Sequence, residues 1–251
     1  MSDEQIRFSG VYGRGSNNAP NTYTNISNSG TITVSGTSDD QFIVSAINAY
    51  NTNSTYSNII NKGDIIFTET AKSNAQIYVA GIFANPKAEM TAKGPVCNSG
   101  NITIKGTGSA VYVGGCSRGH AAAAMNTYVN TGNITVERPE GATFPIYIGG
   151  IASTASAAIN SAKCHCNIRA IGENITIGWV TTTARSETIV ATNCEIGGNL
   201  IGEYNAADDD YKTTPITESN YTDYIYGVIP DWSGVTAYDG CKYLSTKPTI
   251  E

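Results

Sequence analysis

One phrase recurs along this chain and constrains its fold more than any other feature. It reads Gly30-Thr31-Ile32-Thr33-Val34, then Gly63-Asp64-Ile65-Ile66-Phe67, Gly100-Asn101-Ile102-Thr103-Ile104 and Gly132-Asn133-Ile134-Thr135-Val136. Weaker copies stand at Asn174-Ile175-Thr176-Ile177 and Gly198-Asn199-Leu200-Ile201. The four clear glycines lie 33, 37 and 32 residues apart. A unit of this size cannot bury its apolar side alone, so neighbours must stack on it. A second phrase follows each copy: Phe42-Ile43-Val44-Ser45-Ala46-Ile47, Ile77-Tyr78-Val79-Ala80-Gly81-Ile82, Val111-Tyr112-Val113-Gly114-Gly115-Cys116 and Ile146-Tyr147-Ile148-Gly149-Gly150-Ile151. A third column (Ile26, Ile59, Val96, Tyr128, Ile168 and Cys194) stands four residues before each repeat glycine. Two residues before the clear glycines come Asn28, Asn61, Asn98 and Asn130.

Each unit thus holds three short segments of period-2 alternation separated by Gly, Asn and Ser turns. Helical repeats of similar length exist, but Ile-Thr-Val, Val-Tyr-Val and Gly-Gly are strand and turn chemistry. The regular leucines of a leucine-rich repeat are missing. The pattern predicts an all-β fold, a right-handed parallel β-helix of about five to six coils with three short strands per coil. At about 4.8 Å per coil that is a stub of roughly 25 to 30 Å. The Asn column should form a ladder of side-chain amides, and Gly81, Gly115 and Gly150 should share a column where a side chain is excluded. The expected solenoid covers residues 1–202, with 1–20 as a partial first coil or N-terminal cap. Residues 203–251 form a final partial coil and C-terminal cap, with Trp232 over the core end. Val11-Tyr12-Gly13 belongs to the partial first coil, and Tyr224-Ile225-Tyr226-Gly227-Val228-Ile229 echoes the second phrase. The segments after the second phrase read as variable loops, with a helical turn at Ala121–Met125. The unit from Asn174 to Asn199 reads as a shortened coil.

Composition narrows the function. Charged residues are only 14% of the 251, and the net charge is −6, with the polarity carried by Asn, Thr, Ser and 26 Gly. Nucleic-acid binders present a basic face, and none is encoded here. No stretch reaches the roughly 18 apolar residues of a membrane span. The uncharged polar surface fits an exported protein, extracellular or on the cell surface, whose signal peptide has been removed.

Six cysteines are spaced irregularly: Cys97, Cys116, Cys164, Cys166, Cys194 and Cys241. Cys164-His165-Cys166 looks like half a metal site, but the second ligand pair that structural zinc needs is absent. The expectation is buried or loop thiols with at most one disulfide, and no metal or other cofactor. Asp208-Asp209-Asp210 reads as a solvated loop rather than a calcium turn.

The paired phrases Asn98-Ser99-Gly100-Asn101-Ile102-Thr103-Ile104 and Val111-Tyr112-Val113-Gly114-Gly115 resemble the Gly-rich, GLUG-like repeats of bacterial cell-surface β-helix proteins common in gut Bacteroidetes. The ending Tyr238-Asp239-Gly240-Cys241-Lys242-Tyr243-Leu244 resembles the tails of such proteins. The resemblance spans about residues 20 to 200. It implies an exported surface β-helix, adhesive or glycan-binding, and carries no functional residues with it.

Some parallel β-helices are polysaccharide lyases or hydrolases, which need paired carboxylates or acidic calcium sites. No Asp occurs between Asp64 and Asp208, and Glu69, Glu89, Glu137, Glu140, Glu173 and Glu187 fall in turns and loops without sharing a column. His120 and His165 sit in different places, and Arg118 beside His120 is too little for a lyase site. No catalytic residues are assigned, and an enzyme is the disfavoured reading. Tyr78, Tyr112 and Tyr147, at one position of successive coils between inward-facing neighbours, should form an outward aromatic column. Such a column suits stacking on sugar rings, and equally suits stabilising the sheet face. The sequence therefore points to a non-enzymatic surface adhesin or binding module, its partner a host or microbial glycan or a surface protein. The alternative is a structural spacer or stalk that oligomerises through a flat face.

Overall fold

In the computed structural model, the described residues are 6–11, 21–37, 41–48, 54–70, 76–85, 91–106, 108–120, 125–155, 157–183, 190–205, 210–227 and 237–250. They form an all-β parallel solenoid of about four turns, fewer than the five to six expected. The difference lies at the ends. Below, the described part of the first coil is the strand Ile6–Ser9 with the two residues after it. Above, Glu195–Asn205 turns back into an antiparallel hairpin with Asp210–Pro215 instead of closing another full turn.

The second phrase builds a six-stranded sheet in the order Ile6–Ser9, Phe42–Ser45, Gln76–Ala80, Ala110–Gly114, Ile146–Gly149 and Ile175–Gly178. The first phrase and the third column belong to one larger sheet, bent at the Asn-x-Gly corner. Its strands pair in register, Ile32 to Ile65 to Ile102 to Ile134 to Ile168, so equivalent side chains stack rung on rung. Alternation sends Ile65, Phe67, Ile102, Ile104, Ile134 and Val136 inward from one wall and Val79, Val111, Val113 and Ile148 from the other. Burying such side chains contributes about 1.5–3 kcal/mol each, and this stack is the main source of cohesion.

The expected amide ladder is present, and it is buried from Asn61 to Asn130. Asn28 Nδ2 donates to Asn61 Oδ1, Asn61 to Asn98 and Asn98 to Asn130, each at 2.8 Å. Each amide also donates to the carbonyl of the glycine two residues on, at 2.8 to 3.2 Å. A side chain on Gly63, Gly100 or Gly132 would run into the carbonyl of the repeat glycine one coil below.

Three expectations are corrected. First, the segments read as loops carry two more ladders. Ser117–His120 pairs with Ala152–Ala155, extended by bridges at Asn48, Phe83, Thr181 and Tyr226. Just inside this ladder runs a further buried column: Ile47, Ile82, Cys116, Ile151, Val180 and Ile225. Met125–Asn126, Ile159–Asn160, Ala191–Thr192 and Tyr238–Asp239 form another ladder. Met125 is thus in a strand, and Ala121–Ala124 lie outside the described residues. A kink with positive φ at Asn25, Asn58, Thr127, Ser161, Asn193 and Gly240 separates this ladder from the third column.

Second, the upper register shifts. Ile175-Thr176-Ile177 pairs with Ile146-Tyr147-Ile148 and so belongs to the second phrase. The fifth copy of the first phrase is Cys166-Asn167-Ile168-Arg169-Ala170, which places Ile168 beside Ile134 and puts Ala162 in the third column. Successive rungs here are 34 and 32 residues apart, so no shortened coil exists. A glycine replaced by Cys166 disguised the phrase. Third, Tyr224-Ile225-Tyr226 lies beside Trp179-Val180-Thr181, past the second-phrase sheet. Within the expected partial first coil of residues 1–20, the strand is Ile6–Ser9, paired with Phe42–Ser45; Tyr12 and Gly13 lie outside the described residues. Trp232, Asp208, Asp209, Glu89 and Glu187 lie outside the described residues. Among the described residues the only helical element is the 3-10 turn Tyr221–Tyr224, and no helix is long and apolar enough to cross a membrane.

Candidate functional site

The outer face of the six-stranded sheet carries the tyrosine column. Val111 and Val113 face the core, so Tyr112 between them points outward, and the register aligns Tyr78, Tyr112 and Tyr147. The column continues to Ile43 and Arg7 below and Thr176 above. Tyr78 and Tyr112 meet edge to face at 5.4 Å between centroids, whereas Tyr112 and Tyr147 stack at 5.0 Å with planes 20° apart. Outward does not mean exposed along the whole column. Tyr78 is only 5% exposed and packs with Ile43, Ala80 and Ala84 in a small cluster separate from the main core. Tyr112 and Tyr147 are half-buried.

The cover over Tyr78 includes Arg118, on the strand Ser117–His120 that the loop reading missed. Its guanidinium carbon lies 3.5 Å from the Tyr78 ring centroid and 5.1 Å from that of Tyr112, a cation–π arrangement. The Tyr78 hydroxyl donates to Gln76 Oε1 and accepts from Gln41 Nε2 at 3.3 Å. The chemistry on offer is two stacked ring rims with their hydroxyls and a nearby fixed cation, all on a rigid sheet.

The other candidates behave differently. In the strand Lys163–Ile171, Cys164 and Cys166 point into the core with sulfurs 3.5 Å apart, while His165 points the opposite way. The three cannot converge on one ion, and among the described residues no group of three His, Cys, Asp or Glu side chains is placed to hold a metal. Burial pushes the Cys164 and Cys116 thiols well above their ordinary pKa.

Two carboxylates sit in strands rather than in turns, against expectation. Glu137 pairs with Lys105 at 3.8 Å and Arg169 at 3.4 Å on the outer face. Glu69 ends the strand Ile65–Glu69 and is buried, accepting from the Gly108 N–H and the Ser109 hydroxyl. Arg138, also buried, donates to the carbonyls of Ser109, Ala142 and Glu173 at 3.3 to 3.4 Å. Burial lowers the Arg138 pKa, and the Glu69 charge opposes that shift. Gly36, Glu69, Gly106, Arg138 and Gly172 form one column in which glycine alternates with a long charged side chain. The alternation is legible in the aligned repeats, since each glycine gives its larger neighbour room. A Cβ on Gly172 would meet the Arg138 side chain.

A second, exposed ladder was also missed, although the recurring Gly-Asn-Ile signals it. Asp64, Asn101, Asn133, Asn167 and Asn199 link successive coils through their side chains at 2.7 to 3.0 Å.

Comparison of the chain with protein-family models, with curated proteins and with solved structures finds no match.

Proposed function

We propose that this chain is a non-enzymatic binding module of an exported, cell-surface protein, and that its ligand is a carbohydrate. The observation that carries this reading is the stacked, half-buried pair Tyr112–Tyr147 on the outer face of the sheet, flanked by Arg118. Aromatic rims pack against the C–H faces of a sugar, and tyrosine hydroxyls exchange hydrogen bonds with its hydroxyls. A register-locked sheet holds these groups in place before the ligand arrives, which reduces the ordering cost of binding. The low-charge Asn, Thr and Ser surface and the resemblance of the repeats to bacterial surface solenoids support the exported setting. The carboxylates support binding over catalysis, because Glu69 is committed to Gly108 and Ser109 and Glu137 to Lys105 and Arg169.

One observation favours the spacer as a second reading. Among the described residues Ile6–Ser9 has a strand neighbour on one side only, and Phe8 and Val11 are 40% and 47% exposed, as in a solenoid end that meets another subunit.

A glycan-array screen of the purified chain tests the proposal, with Tyr112→Ala/Tyr147→Ala beside it. Tyr78 is left in place in that variant because its ring is buried. Saccharide binding that the double variant loses, at an unchanged melting temperature, is the expected result. Silence across the array, or binding that both proteins share, overturns it.

A further inference from the structure

At the C-terminal end of the solenoid two cysteines occupy one column. Glu195 pairs with Lys242 and Ile196 with Tyr243 in parallel register, and the Lys242 N–H donates to the Cys194 carbonyl at 2.8 Å. Cys241 therefore lies directly beside Cys194 on the neighbouring strand. In-register strands are about 4.8 Å apart, within the roughly 4.4–6.8 Å between Cα atoms that a disulfide spans. The two thiols are near enough to perturb each other's titration. Their remaining contacts are backbone carbonyls, of Ile159 and Thr192 for Cys194 and of Ala191 for Cys241.

The pair differs from the other cysteines in access. Cys97, Cys116, Cys164 and Cys166 are buried, and Cys164 and Cys166 lie two apart on one strand, where a bond between them would close a strained ring. Cys241 is half-exposed. Its contact with Cys194 holds its thiol below the ordinary cysteine pKa, and the same contact, with burial, holds Cys194 above. Cys241 is thus the sulfur that a reagent in solution meets first, and the one closer to its nucleophilic form.

We propose that Cys194 and Cys241 form a covalent staple, a disulfide made by exchange with a low-molecular-weight disulfide such as oxidised glutathione. The Cys241 thiolate attacks one sulfur of the small disulfide, breaking its S–S bond and releasing one small thiolate. The Cys194 sulfur then attacks Cys241 in the mixed disulfide and expels the second. The two protein thiols lose two electrons, the small disulfide gains them, and the two protons end on the two small thiols. The bond ties the segment Tyr238–Leu244 to the last turn. That segment brings Tyr238, Cys241 and Tyr243 against the end of the core. Besides backbone pairing, it is held by Tyr221, whose hydroxyl donates to the Cys241 carbonyl at 3.2 Å. The staple closes the loop that contains the hairpin, so the solenoid's upper end opens less readily. This inference is independent of the carbohydrate reading.

The test is to equilibrate the whole chain in glutathione buffers from fully reduced to fully oxidised, alkylate, digest and map the peptides. The expected product joins the Cys194 and Cys241 peptides, two hydrogens lighter than the reduced pair, with the other four cysteines alkylated after unfolding. Oxidation should raise the melting temperature by on the order of 5 °C, and Cys241→Ser should abolish the rise. Alkylation of both cysteines at the most oxidising ratio, a mixed disulfide that persists on Cys241, or bonding of either to another cysteine overturns the proposal. The peptide map uses the unaltered chain and does not depend on the variant folding.

Discussion

The coils built around Asn61, Asn98 and Asn130 turn a corner that the coils above them run straight through. In the lower coils each Asn donates to the next rung and to its own glycine carbonyl, and the repeat glycine leaves room for the backbone below. In the fifth coil Cys164 and Cys166 replace that Asn and that glycine. The strand Lys163–Ile171 passes through the former corner without a break, as does Glu195–Asn205 above it. The opposite wall changes in step. Gly81 abuts Asn98, Gly115 abuts Asn130 and Gly150 abuts Cys164, but the next position is Trp179. Its indole is fully buried and donates to the Gly197 carbonyl at 2.9 Å. What the rungs preserve is a filled cross-section, and residue identity follows only while the corner is kept.

The largest effect should come from a charge in the middle of the stack. Val113→Asp puts a carboxylate in a dry core and should prevent folding, seen as loss of the β-sheet circular dichroism signal. Ile177, two rungs higher in the same inward column, is only half-buried. Ile177→Asp should give a folded protein with a lowered melting temperature. Equal damage from both would erase the distinction between centre and end.

Next comes the ladder. Asn98→Leu strands the Asn61 amide donor and the Asn130 carbonyl in the core, at about 2–5 kcal/mol by urea unfolding, because each orphaned group costs about 1–3 kcal/mol. Cys164→Ala, above the ladder, should cost about 1 kcal/mol. If the two were alike, the amide ladder would contribute nothing beyond packing.

A subtler experiment asks whether the corner is encoded by the pair of residues. Cys164→Asn alone puts an amide on a straight strand, and Cys166→Gly alone loosens that strand, at about 1–2 kcal/mol each. The double variant restores Asn-x-Gly and should recover at least about 1 kcal/mol as a coupling energy in a double-mutant cycle. Additive losses would mean that the straight corner is imposed from elsewhere in the upper coils.

The smallest effect is a pH dependence confined to the upper end. Burial lowers the His165 pKa, and the nearby Lys247 charge acts in the same direction. The unfolded chain therefore binds this proton more readily than the folded one. The stability that His165 contributes is complete above its ordinary pKa of about 6.5 and is lost as pH falls toward its lower folded value. Melting temperatures between about pH 7.5 and about pH 5 should fall less in His165→Gln than in the parent chain. An identical decline would remove His165 from the account.

The repeat glycines, the inward Ile and Val positions and the amide ladder were all legible, because stacking in register makes neighbouring coils obey the same local rule. Legibility failed where the rule was met with different residues. Cys166 in place of the glycine hid the fifth phrase, and Ile175-Thr176-Ile177, which satisfies either alternating column, was assigned to the wrong one. The extra ladders beyond Gly114 and Gly149 were hidden for another reason. Short, bent strands such as Ser117–His120 lack the alternation that marks a strand, and their pairing is created by the coil next door. The tyrosine column was readable as a direction but not as an exposure. Nothing in Val-Tyr-Val says that Arg118 will lie across the Tyr78 ring.

The sequence alone thus determined the solenoid, its core walls and the Asn rungs, since these rest on periodicity and on side chains that pair with copies of themselves. Only the tertiary structure decided the upper register, which tyrosines reach solvent, and the meeting of Cys194 with Cys241. Each of these depends on what an adjacent coil places a few ångströms away, and residues 47 positions apart carry no local mark that they will become neighbours.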